Sequence, residues 1–204
     1  SSDVCSSDLA RALVAVKNLK IISFGPRPQN FLACNAPIKR LYDLGVEIEE
    51  NSELDLFESY KNHADDPRIP DVVKDMESEL GEGNMKPEIL PKLAQYEITL
   101  LDWVEAHKGC RKYVTLTTKC WPAFQTQFGF VPCYVNSRLT GRGIPVSCEV
   151  DIWGTLSEYL GTVISQDAVT LLDINNTVPA DMYEGEIKGK YDYKIGRASC
   201  RERV

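Results

Sequence analysis

The chain contains 204 residues, of which 43% are hydrophobic and 26% are charged, as is typical of a folded globular protein. Its 30 acidic and 23 basic residues give a formal net charge of −7, which argues against a nucleic-acid-binding surface. The sequence has neither an apolar run near the roughly 18 residues of a membrane span nor a charged-then-apolar leader. We therefore expect a cytoplasmic protein whose partners include no nucleic acid and no membrane.

The two ends of the sequence resemble translated sequencing adapter. Residues 1–9 read SSDVCSSDL, residues 195–204 read IGRASCRERV, and neither run has apolar periodicity. We expect both ends to be artefactual and unpacked. Residues 10–194 would then be an internal fragment of a longer protein.

Five cysteines lie between these ends, at positions 34, 110, 120, 133 and 148. They form no CxxC pair, and their spacing matches no zinc motif. The two histidines, His63 and His107, fall in polar helical segments, so a catalytic cysteine–histidine pair is not expected. We expect reduced thiols, most of them buried.

Apolar spacing predicts strands and helices in alternation along the chain. Strands are expected at 20–24, 46–48, 112–117, 144–148 and 169–172. Helices are expected at 10–17, 31–44, from Ser52 to about residue 61, and at 66–81, 87–108, 121–128, 132–139 and 151–164. This order predicts an α/β fold with a Rossmann-like, mostly parallel sheet and helices on both faces.

Two carboxylates, Glu149 and Asp173, each follow the last apolar residue of a predicted strand. The strand–helix–strand unit between them should be a right-handed crossover, which brings both to the C-terminal edge of the sheet. Two carboxylates at one edge need a cation or a proton between them, and hard oxygen ligands favour Mg²⁺ or Mn²⁺. Alternatively, Asp173 begins an Asx-turn and Glu149 pairs with Arg138 or Arg142.

Two further clusters have both a binding and a structural interpretation. Arg27 follows the first strand, where it could hold an anionic or hydroxylated ligand, or where its Pro-rich loop could be a rigid turn. Gln125 and Trp121 could line a sugar pocket, with the amide bonding to hydroxyls and the indole stacking on C–H faces. However, Trp121, Phe124 and Phe128 also fall at a helical spacing typical of core residues.

A family resemblance is carried by the runs CWPAFQTQFGFVPCYVNSRLTGRGIPVSCEVDIWGTLSEYL and VTLLDINNTVP. They resemble the L-fucose isomerase and L-arabinose isomerase superfamily and are most similar to its L-fucose isomerase-like branch. The opening KIISFGPRPQNFL resembles the first strand and loop of that family's second domain. The resemblance implies that residues 10–164 form the Rossmann-like middle domain of a sugar isomerase and that residues 165–194 begin its C-terminal domain.

The activity implied by this resemblance is that of a metal-dependent ketol isomerase of carbohydrate metabolism, which interconverts an aldose and a ketose through an ene-diol. It implies Mn²⁺, or another divalent cation such as Mg²⁺ or Co²⁺, held by Glu149, Asp173 and a histidine. The two carboxylates would also be the acid/base pair. The histidine has no match here and is expected beyond residue 194, so this fragment should be inactive alone. The full-length enzyme is expected to be a homo-oligomer.

Two competing hypotheses are a non-catalytic α/β sugar-binding module and an isomerase of the same family with another substrate. A binding module would not need paired carboxylates at adjacent strand ends.

Overall fold

The computed structural model describes residues 6–35, 37–120, 122, 124–171 and 179–189. In these ranges one sheet is formed by β1 (Leu19–Phe24), β2 (Glu47–Asn51), β3 (Tyr113–Thr117) and β4 (Val146–Ser147). The strand order is β2-β1-β3-β4, and every neighbouring pair is parallel. The predicted Rossmann-like α/β fold is therefore confirmed.

Helices connect and cover these strands. They are α1 (Ser6–Lys17), α2 (Lys39–Asp43), α3 (Glu53–Asn62), α4 (Ile69–Leu80), α5 (Leu90–His107), α6 (Cys133–Gly141), α7 (Ile152–Ser165) and α8 (Ala180–Met182). Short 3₁₀ turns lie at Leu32–Cys34, Gly81–Gly83 and Pro87–Ile89, and π-helical turns at Phe124–Phe128 and Tyr183–Ile187. Across the described ranges, no helix combines the length and apolarity that a membrane span requires.

The sheet separates two hydrophobic cores, because successive side chains of a strand point to opposite faces. In β1, Ile22 and Phe24 pack with α3, α4, α5 and α6 on one face. Leu19 and Ile21 pack with α1, α2 and α7 on the other face. Helices thus cover both faces of the sheet, as the sequence predicts.

Two predicted helix starts are confirmed by side-chain caps. The hydroxyl of Ser52 accepts a hydrogen bond from the backbone of Asp55, whose carboxylate accepts one in return from the backbone of Ser52. At the start of α7, Oδ1 of Asp151 accepts a hydrogen bond of 2.8 Å from the backbone of Gly154. Caps of this kind contribute about 1 kcal/mol each.

The helix predicted over 31–44 is wrong as a single element. The structure has a 3₁₀ turn at Leu32–Cys34 and the short helix α2 instead. Pro37 explains the interruption, because a proline inside a helix removes a backbone donor and clashes with the preceding turn.

The strand predicted over 169–172 is also wrong in its described part, since residues 169–171 lie against α7 and join no strand. The backbone N–H of Val169 donates to Oγ1 of Thr162 at 3.3 Å, and that of Leu171 donates to Oε1 of Glu158 at 2.8 Å. A Cβ added at Gly161 would lie 2.9 Å from Cγ1 of Val169, so this close approach depends on a glycine.

Helix α1 begins inside the adapter-like end, at Ser6. Residues 6–9 contribute no buried side chain, and Leu9 is 55% exposed. Residues 1–5 and 195–204 lie outside the described residues, so the artefactual origin of the ends stays a prediction.

These five cysteines, all among the described residues, form no disulfide, and their burial varies. Cys120 and Cys133 are buried, Cys34 and Cys148 are half-buried, and Cys110 is exposed. The expectation of reduced thiols stays a prediction. The expectation that most are buried is wrong, most clearly at Cys110, which follows the polar end of α5.

Candidate functional site

The C-terminal ends of the four parallel strands meet at one edge of the sheet, which we call the carboxyl edge. Gly25 follows β1, Glu53 follows β2, Lys119 follows β3 and Glu149 follows β4. Ligands of open α/β sheets bind at this edge. The candidate site is therefore built from the residues that follow these four strands.

Glu149 lies in a strained turn between β4 and α7. Its φ is 60°, and the φ of the following Val150 is 53°, so both adopt the left-handed region. A β-branched residue such as valine rarely occupies that region. The backbone of Val150 donates to the carbonyl of Thr118 at 3.2 Å, and its side chain is 5% exposed, which holds the turn in place. Strain of this kind costs about 1–3 kcal/mol and concentrates at functional sites.

The carboxylate of Glu149 contacts a thiol. Sγ of Cys120 lies 3.4 Å from Oε1 of Glu149 and donates a hydrogen bond to it. A hydrogen bond with Cys148 and burial both raise the pKa of Cys120. The Cys120 thiol therefore stays protonated and remains a donor.

The alternative in which Glu149 pairs with Arg138 or Arg142 is not what the structure contains. Arg138, with a side chain only 2% exposed, bonds to carboxylates at Asp75, Glu79 and Glu97. The Arg142 guanidinium bonds to two of the same carboxylates, those of Asp75 and Glu97. These contacts join α4, α5 and α6, so both arginines serve the packing of those helices.

Arg27 fits the rigid-turn interpretation and also lines a cleft, while its role in holding a ligand stays a prediction. Its Nη1 donates to the carbonyls of Pro28 at 3.0 Å and of Gln29 at 2.8 Å, which braces the loop after β1. The same residue lines a cleft of about 420 Å³ together with Gly25 and Val150. Because Val150 directly follows Glu149, this cleft adjoins the strained turn.

The aromatic residues after β3 are core residues. Phe124 and Phe128 are buried, and their rings stack with centroids 4.3 Å apart. The core interpretation of these two side chains is confirmed. Gln125, between them in the π-helical turn, is exposed. Trp121 lies outside the described residues, and a substrate contact of either residue stays a prediction.

Asp173 also lies outside the described residues, and its expected partnership with Glu149 stays a prediction. The shared edge expected for these two residues depends on a strand at 169–172, and the described part of that segment is not a strand. Without that strand, the crossover rule no longer supports a shared edge for these two carboxylates.

The carboxylate of Glu149 is a hard oxygen ligand of the kind that divalent cations prefer, whereas the carboxylate of Glu53 at the same edge is paired with Lys119 at 3.0 Å. In the described part of the chain, the compact group of three potential metal donors is His63, Asp66 and Asp102, between α3 and α5. Arg68 already bridges its carboxylates, with Nη2 at 2.7 Å from Asp66 and 2.5 Å from Asp102. Glu149 therefore fits a metal site in its chemistry, and its further ligands, Asp173 among them, stay a prediction.

One ion pair at the carboxyl edge was not predicted from the sequence. Nζ of Lys119 lies 3.0 Å from Oε2 of Glu53, and the side chain of Lys119 is 10% exposed. Glu53 lies two residues after β2 and Lys119 lies two residues after β3. In the sequence, Glu53 is indistinguishable from other acidic residues in the first turn of a helix.

Comparison with known proteins finds no protein-family model that matches the chain. The chain is 29% identical over 157 residues to a protein named sulfoquinovose isomerase from Priestia megaterium (strain ATCC 12872 / QMB1551). Proteins of the same name from Clostridium sp. (strain MSTE9) and Alkalicoccus urumqiensis are 27% identical over 169 residues and 25% identical over 146 residues. These matches cover 75%, 79% and 71% of the chain but only 33%, 37% and 32% of the relatives. The chain thus spans about a third of the length of these curated relatives, each of which carries the name of a sugar isomerase.

Proposed function

We propose that this chain is part of an aldose–ketose isomerase of the L-fucose isomerase-like type whose substrate is a sugar with an anionic substituent. The observation that carries the proposal is the similarity of 71–79% of the chain to proteins named sulfoquinovose isomerase. Sulfoquinovose is a 6-deoxyglucose that bears a sulfonate group. Those names do not support L-fucose or L-arabinose as the substrate.

The cleft beside Glu149 supports an anionic substituent. In the described ranges, Nη1 of Arg27 is bonded to its own loop, whereas its Nε and Nη2 have no hydrogen-bond partner. A guanidinium group binds anionic oxygens through two parallel hydrogen bonds. Arg27 would hold the sulfonate, and the strained turn at Glu149 would meet the other end of the sugar.

The proposed reaction moves one proton from C2 to C1 of the sugar and a second from O2 to O1. Glu149 and Asp173 would carry the carbon-bound proton between the two positions. The hydrogen bond from Cys120 fixes one oxygen of Glu149, which orients the other oxygen of that carboxylate. A bound divalent cation, Mn²⁺ foremost, held by Glu149, Asp173 and a third ligand, would stabilise the negative charge that develops on O1 and O2.

The test uses the longer protein that contains this chain, incubated with sulfoquinovose and Mn²⁺ in deuterated water. NMR should detect the ketose and deuterium at the exchanged carbon. Glu149→Gln should abolish both signals, because it removes the base and a metal ligand together. The control Glu105→Gln, which breaks an exposed pair with Lys108 on α5, should leave them unchanged.

A wild-type protein that binds sulfoquinovose but neither converts it nor exchanges its C2 proton would favour the non-catalytic sugar-binding module. The anionic substituent has its own test, in which Arg27→Met should raise the KM for sulfoquinovose about tenfold or more. The same variant should leave the KM for the unsulfonated 6-deoxyglucose unchanged.

A further inference from the structure

A second cleft lies where the connections from the sheet diverge. From β1 the chain crosses to β2 on one side, whereas β3, on the other side of β1, connects to β4. Such a reversal opens a crevice between the C-terminal ends of the two central strands, and ligands of α/β proteins bind there. A cleft of about 240 Å³ opens at this point, lined by residues 28–31 of the loop after β1 and by Lys119 and Pro122 after β3.

The cation in this cleft is held from across the sheet. Glu53 leaves β2, crosses the end of β1 and reaches Nζ of Lys119 at 3.0 Å. Gly25, at the end of β1, makes the crossing possible. A Cβ there would lie 2.8 Å from Cγ of Glu53, and the φ of Gly25 is +90°. Three adjacent strand ends are thus arranged so that one carboxylate and one ammonium group meet beside the cleft.

The second oxygen of the Glu53 carboxylate is an acceptor to which no described residue donates. Oε1 of Glu53 is buried and has no hydrogen-bond partner in the described part of the chain. A buried acceptor without a donor costs about 1–3 kcal/mol, so a native site that contains one usually has a ligand or water to satisfy it. Beside it, the ammonium group of Lys119 has three donors, one of which is directed to Oε2.

A hydroxyl group matches this pair. It can donate to Oε1 of Glu53 and accept from Nζ of Lys119 at the same time. An anionic group does not match, because the pair is neutral overall and the unsatisfied atom is itself a carboxylate oxygen. The sulfonate therefore belongs with Arg27 rather than here.

We infer that Glu53 and Lys119 form a hydroxyl-binding pair that selects the sugar by one of its ring hydroxyls. This inference rests on the proposed function, since it assumes that a sugar occupies the carboxyl edge. It assigns Gly25 a supporting role, as the residue that lets Glu53 cross β1.

The experiment is an NMR titration of the ¹⁵N-labelled chain with sulfoquinovose and with its analogues that lack one ring hydroxyl. One analogue should bind the wild-type chain about tenfold or more weakly than sulfoquinovose, which corresponds to a hydrogen bond with a charged group. Glu53→Gln should weaken the binding of sulfoquinovose by a similar factor. The variant should bind that one analogue with the same affinity as the wild-type chain. The control Glu105→Gln should bind every sugar as the wild-type chain does.

The spectra also report whether each variant is folded, and Lys119→Met provides a second variant of similar length. If Glu53→Gln lowers the affinity for every analogue by the same factor, the pair has a structural role and the inference is overturned. Wild-type affinity for sulfoquinovose in both folded variants would overturn it as well, while the proposed function would stand. If no sugar shifts any resonance of the wild-type chain, the inference is overturned, whereas the proposed function is decided by conversion of the sugar in the longer protein.

Discussion

The thiol of Cys120 lies 3.4 Å from the carboxylate of Glu149 and joins the end of β3 to the turn after β4. A hydrogen bond with Cys148 and burial raise the pKa of Cys120, so its reactive thiolate form is scarce at neutral pH. We expect iodoacetamide to modify the exposed Cys110 in the folded chain and to spare Cys120. Peptide mass spectrometry of the alkylated protein measures both sites. Equal modification of Cys110 and Cys120 under native conditions would contradict this placement of Cys120.

Gly25→Ala should destabilise the chain by about 1–3 kcal/mol, because the new side chain meets a positive φ and the side chain of Glu53. The free energy of unfolding in urea measures the effect. The matched control is Gly83→Ala, where no atom lies within 4 Å of the added Cβ. The control should change stability by no more than about 0.5 kcal/mol. A Gly25→Ala variant as stable as this control would mean that Glu53 does not pack over β1.

Two helical glycines should respond to alanine in opposite directions. At Gly161, the added Cβ would press on Val169, so overpacking of about 1–3 kcal/mol should exceed the gain in helix propensity. At Gly141, near the end of α6, nothing lies within 4 Å, and alanine should stabilise by a few tenths of a kcal/mol. Hydrogen exchange adds a local measurement, since the amides of Val169 and Leu171 should lose protection only in Gly161→Ala. Stabilisation by both substitutions would show that residues 169–171 do not lie on α7.

The cluster of His63, Asp66, Arg68 and Asp102 should make the free energy of unfolding depend on pH in the acid range. Hydrogen bonds from Arg68, together with the contact to His63, hold the pKa of Asp102 below its usual value of 3.8. A depressed pKa stabilises the folded state above the unfolded-state value, and the stabilisation is lost as the pH falls through the folded-state value. Asp102→Asn should therefore lower the free energy of unfolding at neutral pH, and the difference from wild type should shrink below about pH 4.

Unfolding curves of both proteins across the acid range measure this dependence. The control is Asp71→Asn, because the side chain of Asp71 is 84% exposed and its pair with Lys74 is held at the surface. That control should follow the wild-type curve at every pH. If Asp102→Asn lowers the free energy of unfolding by the same amount at every pH, the effect comes from packing and not from charge.

Most of the sheet could be predicted because its strands are short apolar runs with clear ends. The apolar run that ends before Glu149 predicts β4, and it also predicts that Glu149 lies at the carboxyl edge of the sheet. The left-handed conformation of Glu149 and Val150 carries no sequence signal, since glycine or asparagine is the usual choice for such a turn. Tertiary hydrogen bonds, such as the one from Val150 to Thr118, impose it.

The apolar run at 169–171 looks like a strand because sequence alone does not reveal where its backbone donors go. Two of them go to side chains of α7, one of which is the buried carboxylate of Glu158. The pair of Glu53 and Lys119 was missed for a related reason. It depends on β1 lying between β2 and β3, an order that arises from long-range topology and not from local pattern.

Strand β2 lies at one border of the described sheet, and three of its five residues are glutamates. Within the same molecule, Lys20 of the neighbouring strand pairs with Glu47 and Glu49 at 3.3 Å and 2.6 Å, and Arg111 pairs with Glu47 at 3.0 Å. A second copy that paired with this border would bring three more glutamates against those of β2. Border strands that carry charge in this way resist extension of the sheet from one molecule to the next. The acidity of β2 should thus keep the chain dispersed at high concentration, and aggregation should begin once these carboxylates are protonated.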